Sequence, residues 1–483
     1  MDARRSYDCV RMMRDWRDDR LEELETRLRV QQATIEALQT RVRELEAQLA
    51  QSSGNSSRPP STDPPGSPPP ARPKRTGRRR GGQPGHTKHT RMLVPPEQVT
   101  QTQILKPCTC RRCGKTLEGE DPDPYRHQVI EIPKVVATVQ EYQLHALVCS
   151  DCGISTRATL PVGVPTGQFG PRLQAMVSLC SGDYRMSKRA TEHLVEDFFS
   201  VPIALGSVTN LEQATSEAIA APVEEVGQAI TKEPVVHADE TGWYERSQRA
   251  WLWAAVTASM AFFVICKSRC TKAAKLLLGA AFAGILVSDR WSAYAWVDVT
   301  RRQLCWAHLL RQFRGFQDYG PDAATIGHGL ELLTETMFHL WHRVRDGTMT
   351  REAFQELMIP LREQVVAWLE EGKACSVRKV AGRCREILEV ESALWTFVHM
   401  QGVEPTNNAA EQILRQGVLW RKSSFGTDSP NGSRFVERIL TVVQTLRQQG
   451  RNVLEFLHDA LVAARNGLSP PSLLPPNPCP QPT

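Results

Sequence analysis

Residues 51–90 decide how this chain can be laid out. From Gly54 onward they read GNSSRPPSTDPPGSPPPARPKRTGRRRGGQPGHTKH, a Ser, Pro, Gly and Arg composition that cannot bury enough apolar surface to fold alone. The segment is therefore a linker, and the chain divides into modules on its two sides. At 483 residues there is room for two to four of them, at roughly 100–200 residues each. Hydrophobic residues at 41% and charged residues at 23% are the balance of a globular protein rather than a fibrous or disordered one.

The net charge of +6 is carried locally. Between positions 71 and 93 stand Arg72, Lys74, Arg75, Arg78, Arg79, Arg80, Lys88 and Arg91 with no acid, so the rest of the chain carries 6 − 8 = −2. Such an arm, with Arg78, Arg79 and Arg80 at its centre, would neutralise DNA phosphates and give salt-sensitive binding; a merely solvated linker is the alternative. Thirteen cysteines, an odd number, follow an N-terminus without an apolar signal stretch. That points to a reducing, cytoplasmic setting rather than a secreted disulfide framework. The one membrane-like run, 250–266 (AWLWAAVTASMAFFVIC), is short for a span and interrupted by Thr257 and Ser259, so no membrane is expected.

Ahead of the linker, Leu21, Leu24, Leu28, Ile35, Leu38, Val42, Leu45 and Leu49 fall at 3-4 spacing, broken only by Gln31. This is a heptad seam, and β-branched Ile35 and Val42 alternating with Leu favours two parallel strands. A homo-oligomer through a coiled coil at 15–50 is expected; a helix packed on its own protein is the competing reading. After the linker come Cys110-Arg-Arg-Cys113-Gly and Cys149-Ser-Asp-Cys152-Gly, paired knuckles suited to one structural zinc ion. Cys108 leaves the ligand set of the first knuckle open. Strand-like runs at 128–139 and 140–148 separate the two. Residues 170–230 have a helical pattern, with Ser187 and Ser207 placed as caps, and would serve as a helix-turn-helix or a purely structural bundle.

The period then changes. A short apolar run, PVVHA, ends at Asp239; a hairpin follows over 250–266, then a helix over 271–278; and GILVS at 284–288 ends at Asp289. Two strands each ending in Asp put both carboxylates where open α/β sheets collect ligands. Taken singly, each Asp would be an ordinary turn residue, and Glu411 with Arg415 an ordinary i,i+4 pair.

HADETGWY at 237–244, SDRWSAY at 288–294, CWAHLLRQF at 305–313 and NNAAEQILR at 407–415 followed by RKSSFG, together with GNSSRPPS, GGQPGH and the two knuckles, resemble the blocks of DDE transposases of the insertion sequence 66 family, in one order along most of the chain. The resemblance implies a multidomain α/β protein: a ribonuclease H-like mixed-sheet catalytic core with an all-helical insertion, preceded by a coiled coil, a zinc ribbon and a helical DNA-binding region. It implies Asp239, Asp289 and Glu411 as ligands of two Mg²⁺ or Mn²⁺ ions, and metal-dependent cleavage and strand transfer at transposon ends and target DNA. Cys305 and His308 are expected as positioning groups, and Arg415, Arg421 and Lys422 as phosphate contacts. Accessory transposition proteins are conceivable partners. Glu240 is a rival ligand, but adjacent strand residues face opposite sides. The modules are expected at 15–50 (coiled coil), 51–98 (basic linker), 99–160 (zinc ribbon), 165–230 (helical region), 231–318 with 400–425 (catalytic core), 319–399 (insertion), 426–468 (C-terminal helices) and 469–483 (disordered tail). A DNA-binding regulator that has lost catalysis is the alternative function, and the presence of all three carboxylates counts against it.

Overall fold

The structure, a computed structural model, describes residues 25–36, parts of 38–49, and 92–476. Arg78, Arg79 and Arg80 lie outside the described residues. Residues 25–36 are helical and the seam side chains Leu28, Ile35, Leu38, Val42, Leu45 and Leu49 are exposed on the single chain.

Aromatic and β-branched residues build a five-stranded sheet: β3 (Val235–Glu245), β4 (Gln248–Val256), β5 (Ala261–Cys266), β6 (Ile285–Ser288) and β7 (Arg302–Leu304), in the order β5-β4-β3-β6-β7. The first three form an antiparallel meander; β6 and β7 are added in parallel to β3. The membrane-like run 250–266 is thus β4 and β5, and no helix among the described residues is long and apolar enough to cross a membrane. Strand β3 does not stop at Asp239. It continues to Glu245, because its second half still has a partner in β4, out to Glu245 opposite Gln248.

Four helices precede the sheet: α1 (Pro171–Gly182), α2 (Lys188–Phe199), α3 (Leu205–Ala218) and α4 (Ala220–Ile230). Ser187 caps α2 as expected, its Oγ accepting the Ala190 N–H at 3.1 Å. Ser207 is not a cap, since α3 starts at Leu205. After β5 come α5 (Thr271–Leu278), then α6 (Trp306–Phe316), α7 (Pro321–Arg345), α8 (Arg351–Lys373), α9 (Arg378–Leu388) and the single turn α10 (Thr396–His399). The chain closes with α11 (Asn408–Ser424), α12 (Pro430–Gln448) and α13 (Val453–Arg465). One core lies between the sheet and α4, α5, α12 and α13, around Val226, Val236, Leu286, Ile439 and Leu457; a second fills α6 to α10 around Trp306, Phe313, Trp341, Phe354 and Phe397.

Both sheet edges are covered, which removes templates for unwanted pairing. Along β5, the N–H groups of Ile265, Phe263 and Ala261 donate to Glu437 Oε1 (2.5 Å), Thr441 Oγ1 (3.1 Å) and Thr445 Oγ1 (3.1 Å) of α12. The match is geometric: four helical residues rise about 6 Å and two strand residues about 6.6 Å, so the i, i+4, i+8 stripe meets every second amide. At the β7 edge, buried Gln303 accepts from the Phe397 N–H (2.8 Å) and donates to the Leu394 carbonyl (3.1 Å). The helical excursion that leaves after β7 therefore returns beside it.

Two further expectations need correction. Of 128–148 only β1 (Ala146–Val148) is a strand, paired with β2 (Ser155–Arg157). Val129, Ile130, Ile132 and Val136 have strand propensity but no strand partner among the described residues, and they stay exposed. The segment after Ser469 is not loose as far as residue 476: Leu473 is fully buried, its carbonyl accepts from Gln449 (2.9 Å), and Ser472 Oγ donates to Glu225 (2.7 Å).

Candidate active site

Strands β3 and β6 pair in parallel with Val235 opposite Ile285, Val236 opposite Leu286 and His237 opposite Val287. Carried two residues further, the same phase sets Asp239 level with Asp289, on chains that run about 4.8 Å apart in a sheet. Asp289 is the first residue beyond β6. Its Oδ1 accepts the Trp291 N–H (2.8 Å) and its carbonyl accepts Arg302 (3.2 Å), which fixes the turn. Asp239 Oδ1 accepts the Glu240 N–H (2.9 Å). Burial above all, then the charges of Glu240, Asp289 and Glu411, push the Asp239 carboxyl well above the usual carboxylate range.

Glu411 reaches the same place from far along the chain, on the first turn of α11. Asn407, fully buried just before that helix, is the clamp: its Nδ2 donates to the Ala238 carbonyl (2.8 Å), one residue before Asp239, and its Oδ1 meets His237 Nδ1 (3.2 Å). Since Nδ2 is committed as donor, Oδ1 accepts and the imidazole carries its proton on Nδ1. Helix α11 then lies close on the sheet through Ala410, Leu414 and Gly417; a Cβ at Gly417 would stand 2.2 Å from Leu252 Cδ2. Glu411 Oε1 is buried without a hydrogen-bond partner, and so is His308 Nδ1, 3.5 Å away.

Cys305 is the N-cap of α6 and His308 its third residue, so both side chains come off one turn, beside Glu411. Among the described residues, Cys305, His308 and Glu411 form a group whose ligand atoms all lie within 4.8 Å of one another. Asp239 and Asp289 are not part of that tight group.

Glu240 is accounted for elsewhere. It faces the opposite side of the sheet, where Arg269 binds it at 2.6 Å and Tyr294 donates its hydroxyl at 2.6 Å. Arg269 is itself held over the Trp291 ring at 3.9 Å. Beyond Asp289 opens a cleft of about 740 Å³ between the sheet and the helical excursion, with Arg269, Arg290, Arg302, Lys379 and Arg383 in its wall. Of the expected phosphate contacts, Arg415 and Lys422 are exposed, whereas Arg421 is half-buried and donates to the Gly242 carbonyl, fastening α11 to β3.

Each cysteine knuckle forms as a tight turn. The Gly114 N–H donates to the Cys110 carbonyl (3.0 Å) and the Gly153 N–H to that of Cys149 (3.0 Å), with Gly114 and Gly153 at φ +73° and +70°, where a side chain would be strained. Backbone amides directed at Cys110 and Cys149 lower both thiol pKa values. Cys110, Cys113, Cys149 and Cys152 are not among the convergent metal-competent groups.

Residues 166–434, more than half of the chain, match the model of the Transposase IS66 family. The chain belongs to that family. Residues 12–92 match a separate family of unknown function. Two curated relatives come from Sinorhizobium fredii. Uncharacterized protein y4qI is 28% identical over 206 residues, 39% of this chain and 37% of that protein. Uncharacterized protein y4hP is 24% identical over 417 residues, 76% of this chain and 72% of that one. The match to y4qI thus spans little more than a third of that relative. In this IS66-family chain the matched segment contains Asp239, Asp289, Glu411 and the whole helical excursion. Sequence reasoning did not single out Asn407 or Arg302; a buried Asn ahead of a helix leaves no local signal.

Proposed function

We propose that this protein is a DDE transposase, in which Asp239, Asp289 and Glu411 are the acidic ligands of a two-cation site that cuts DNA at transposon ends and joins it to new DNA. The observation that carries the reading is the register of Asp239 with Asp289, combined with the Asn407 clamp that brings Glu411 to the same strand. The sheet order β5-β4-β3-β6-β7, three antiparallel strands followed by two parallel ones, supports a ribonuclease H-like core.

The residues fit divalent cations. All three offer hard oxygen donors, which suit Mg²⁺ or Mn²⁺. Glu411 Oε1 is buried without a hydrogen-bond partner, and burial followed by the neighbouring carboxylates raises the Asp239 pKa, so a cation would be favoured there. What cations supply in such a site is activation of a water or a DNA 3′-hydroxyl for attack at phosphorus, and charge stabilisation of the leaving oxygen. The protein's own part is orientation. Arg302 fixes the Asp289 turn, Asn407 fixes the start of the Glu411 helix, and Arg269 with Tyr294 holds Glu240 out of the site. The cationic wall of the cleft and the exposed Arg415 and Lys422 would bind phosphates, as would Arg78, Arg79 and Arg80. A zinc ribbon at Cys110, Cys113, Cys149 and Cys152 and a coiled-coil pairing of two chains, in the bacterial cytoplasm, complete the proposal.

The test is incubation of the full chain with labelled transposon-end DNA and Mg²⁺ or Mn²⁺, sizing the products. Cleaved ends and joined strands are expected, both lost in Asp239→Asn. Strand joining that survives Asp239→Asn would overturn the assignment.

A further inference from the structure

The three convergent groups Cys305, His308 and Glu411 are not a magnesium set. They offer one sulfur, one nitrogen and one oxygen, and thiolate with imidazole selects borderline-soft ions such as Zn²⁺ over Mg²⁺. We propose that Cys305, His308 and Glu411 form a second, zinc-selective site with one open position, and that zinc bound there withdraws Glu411 from the acidic triad and so acts as a brake.

Four observations support it. The ligand atoms already lie within 4.8 Å of one another, so small side-chain movements bring them to zinc distances of about 2.0–2.3 Å. His308 Nδ1 and Glu411 Oε1 face each other at 3.5 Å, too far for a good hydrogen bond, and both are buried without any partner. Unpaired buried polar atoms carry a desolvation cost that an ion between them would relieve. The Cys305 sulfur sits at the start of α6 and receives the Asn407 N–H at 3.2 Å, with the His308 and Ala307 amides also directed at it. Burial and the Glu411 charge nevertheless push the thiol up to about 11, so the thiolate there calls for a cation beside it.

Cys305 and His308 also line the cleft beside Asp289, which gives an ion a route in and leaves room for water at the open position. Binding would convert the thiol to a zinc-bound thiolate and release its proton to solvent, so affinity rises with pH. Zinc binding stands on these residues alone; the braking effect rests on the proposed triad.

The experiment counts zinc per full-length chain after equilibration with Zn²⁺ and gel filtration, with far-ultraviolet circular dichroism to confirm folding. Wild type should carry one more zinc than Cys305→Ser and than His308→Gln, the second variant covering the case in which the buried Cys305 change disturbs folding. Asp239→Asn should keep the extra ion. Equal zinc in wild type and both site variants would overturn the proposal, as would loss of the extra ion in Asp239→Asn, which would put it in the acidic triad. Co²⁺ substitution gives an independent reading, a sulfur-to-cobalt charge-transfer band that diminishes in Cys305→Ser. For the brake, Mg²⁺-dependent end cleavage is titrated with Zn²⁺. Loss of outer-shell partners alone costs 10–100-fold in metal affinity, so Cys305→Ser should need more than about tenfold more zinc for inhibition. If wild type cuts no DNA at all, the transposase reading fails while the zinc count still decides the site.

Discussion

Replacing Asn407 by Ala tests the link between fold and site directly. The side chain is fully buried and spans two partners on β3, the Ala238 backbone carbonyl and the His237 imidazole Nδ1. Truncation leaves both without this partner in a place water does not reach, since Ala238 is fully buried and His237 nearly so. At roughly 1–3 kcal/mol for each buried group left unsatisfied, the loss should be about 2–6 kcal/mol. Asn407→Asp should be at least as damaging, because it turns the donor into a second acceptor against the Ala238 carbonyl. Ten of the eleven tryptophans lie between positions 243 and 420, so tryptophan fluorescence in a urea titration reports on this part of the chain. The same variants should lose end cleavage and bind Mn²⁺ more weakly, since the start of the Glu411 helix is no longer fixed to the strand carrying Asp239. Both variants lying within about 0.5 kcal/mol of wild type, with full cleavage, would refute the clamp.

Glu437 supplies a pH test: burial raises its carboxyl from the ordinary 4.5 to about 7. A raised acid stabilises fully below pH 4.5, and that contribution, about 3 kcal/mol, is lost as pH rises through 7. Glu437→Gln keeps an acceptor for the Ile265 N–H, so it should be more stable than wild type at about pH 8 and lack this pH dependence; identical pH profiles would contradict the assignment. Thr441→Val with Thr445→Val strips side-chain acceptors from two β5 amides, and should lower stability by about 2–4 kcal/mol in the same urea assay. A charged residue at Leu38 should abolish self-association of the N-terminal helix, read by analytical ultracentrifugation of the full chain, because an unpaired charge in a heptad seam is costly. Cys110→Ser with Cys149→Ser should remove one zinc per chain and leave the sheet's tryptophan fluorescence intact; full zinc content would sink the ribbon.

Much of the fold could be read from local pattern. The helix Thr271–Leu278 and the cap at Ser187 follow from 3.6-residue periodicity and side-chain chemistry, and β4, β5 and β6 from short apolar runs, all decided by near neighbours. The same local reading failed where a partner decides. Residues 128–145 have strand propensity and, among the described residues, no strand to pair with, β3 runs past Asp239 because β4 accompanies it, and residues 469–476 are held by a pocket for Leu473 that sequence does not reveal. The family blocks named Asp239, Asp289 and Glu411. What relates them is tertiary: a parallel register between strands fifty positions apart, and one buried Asn that ties the start of a distant helix to β3. Sequence alone determined which side chains are proposed to carry the chemistry, because residue type and period are written locally. Only the tertiary structure decided that Glu411 faces Cys305 and His308, and that Glu240 and Arg421 are committed to internal partners. Such choices depend on which surfaces meet when long loops close, and no local pattern encodes that.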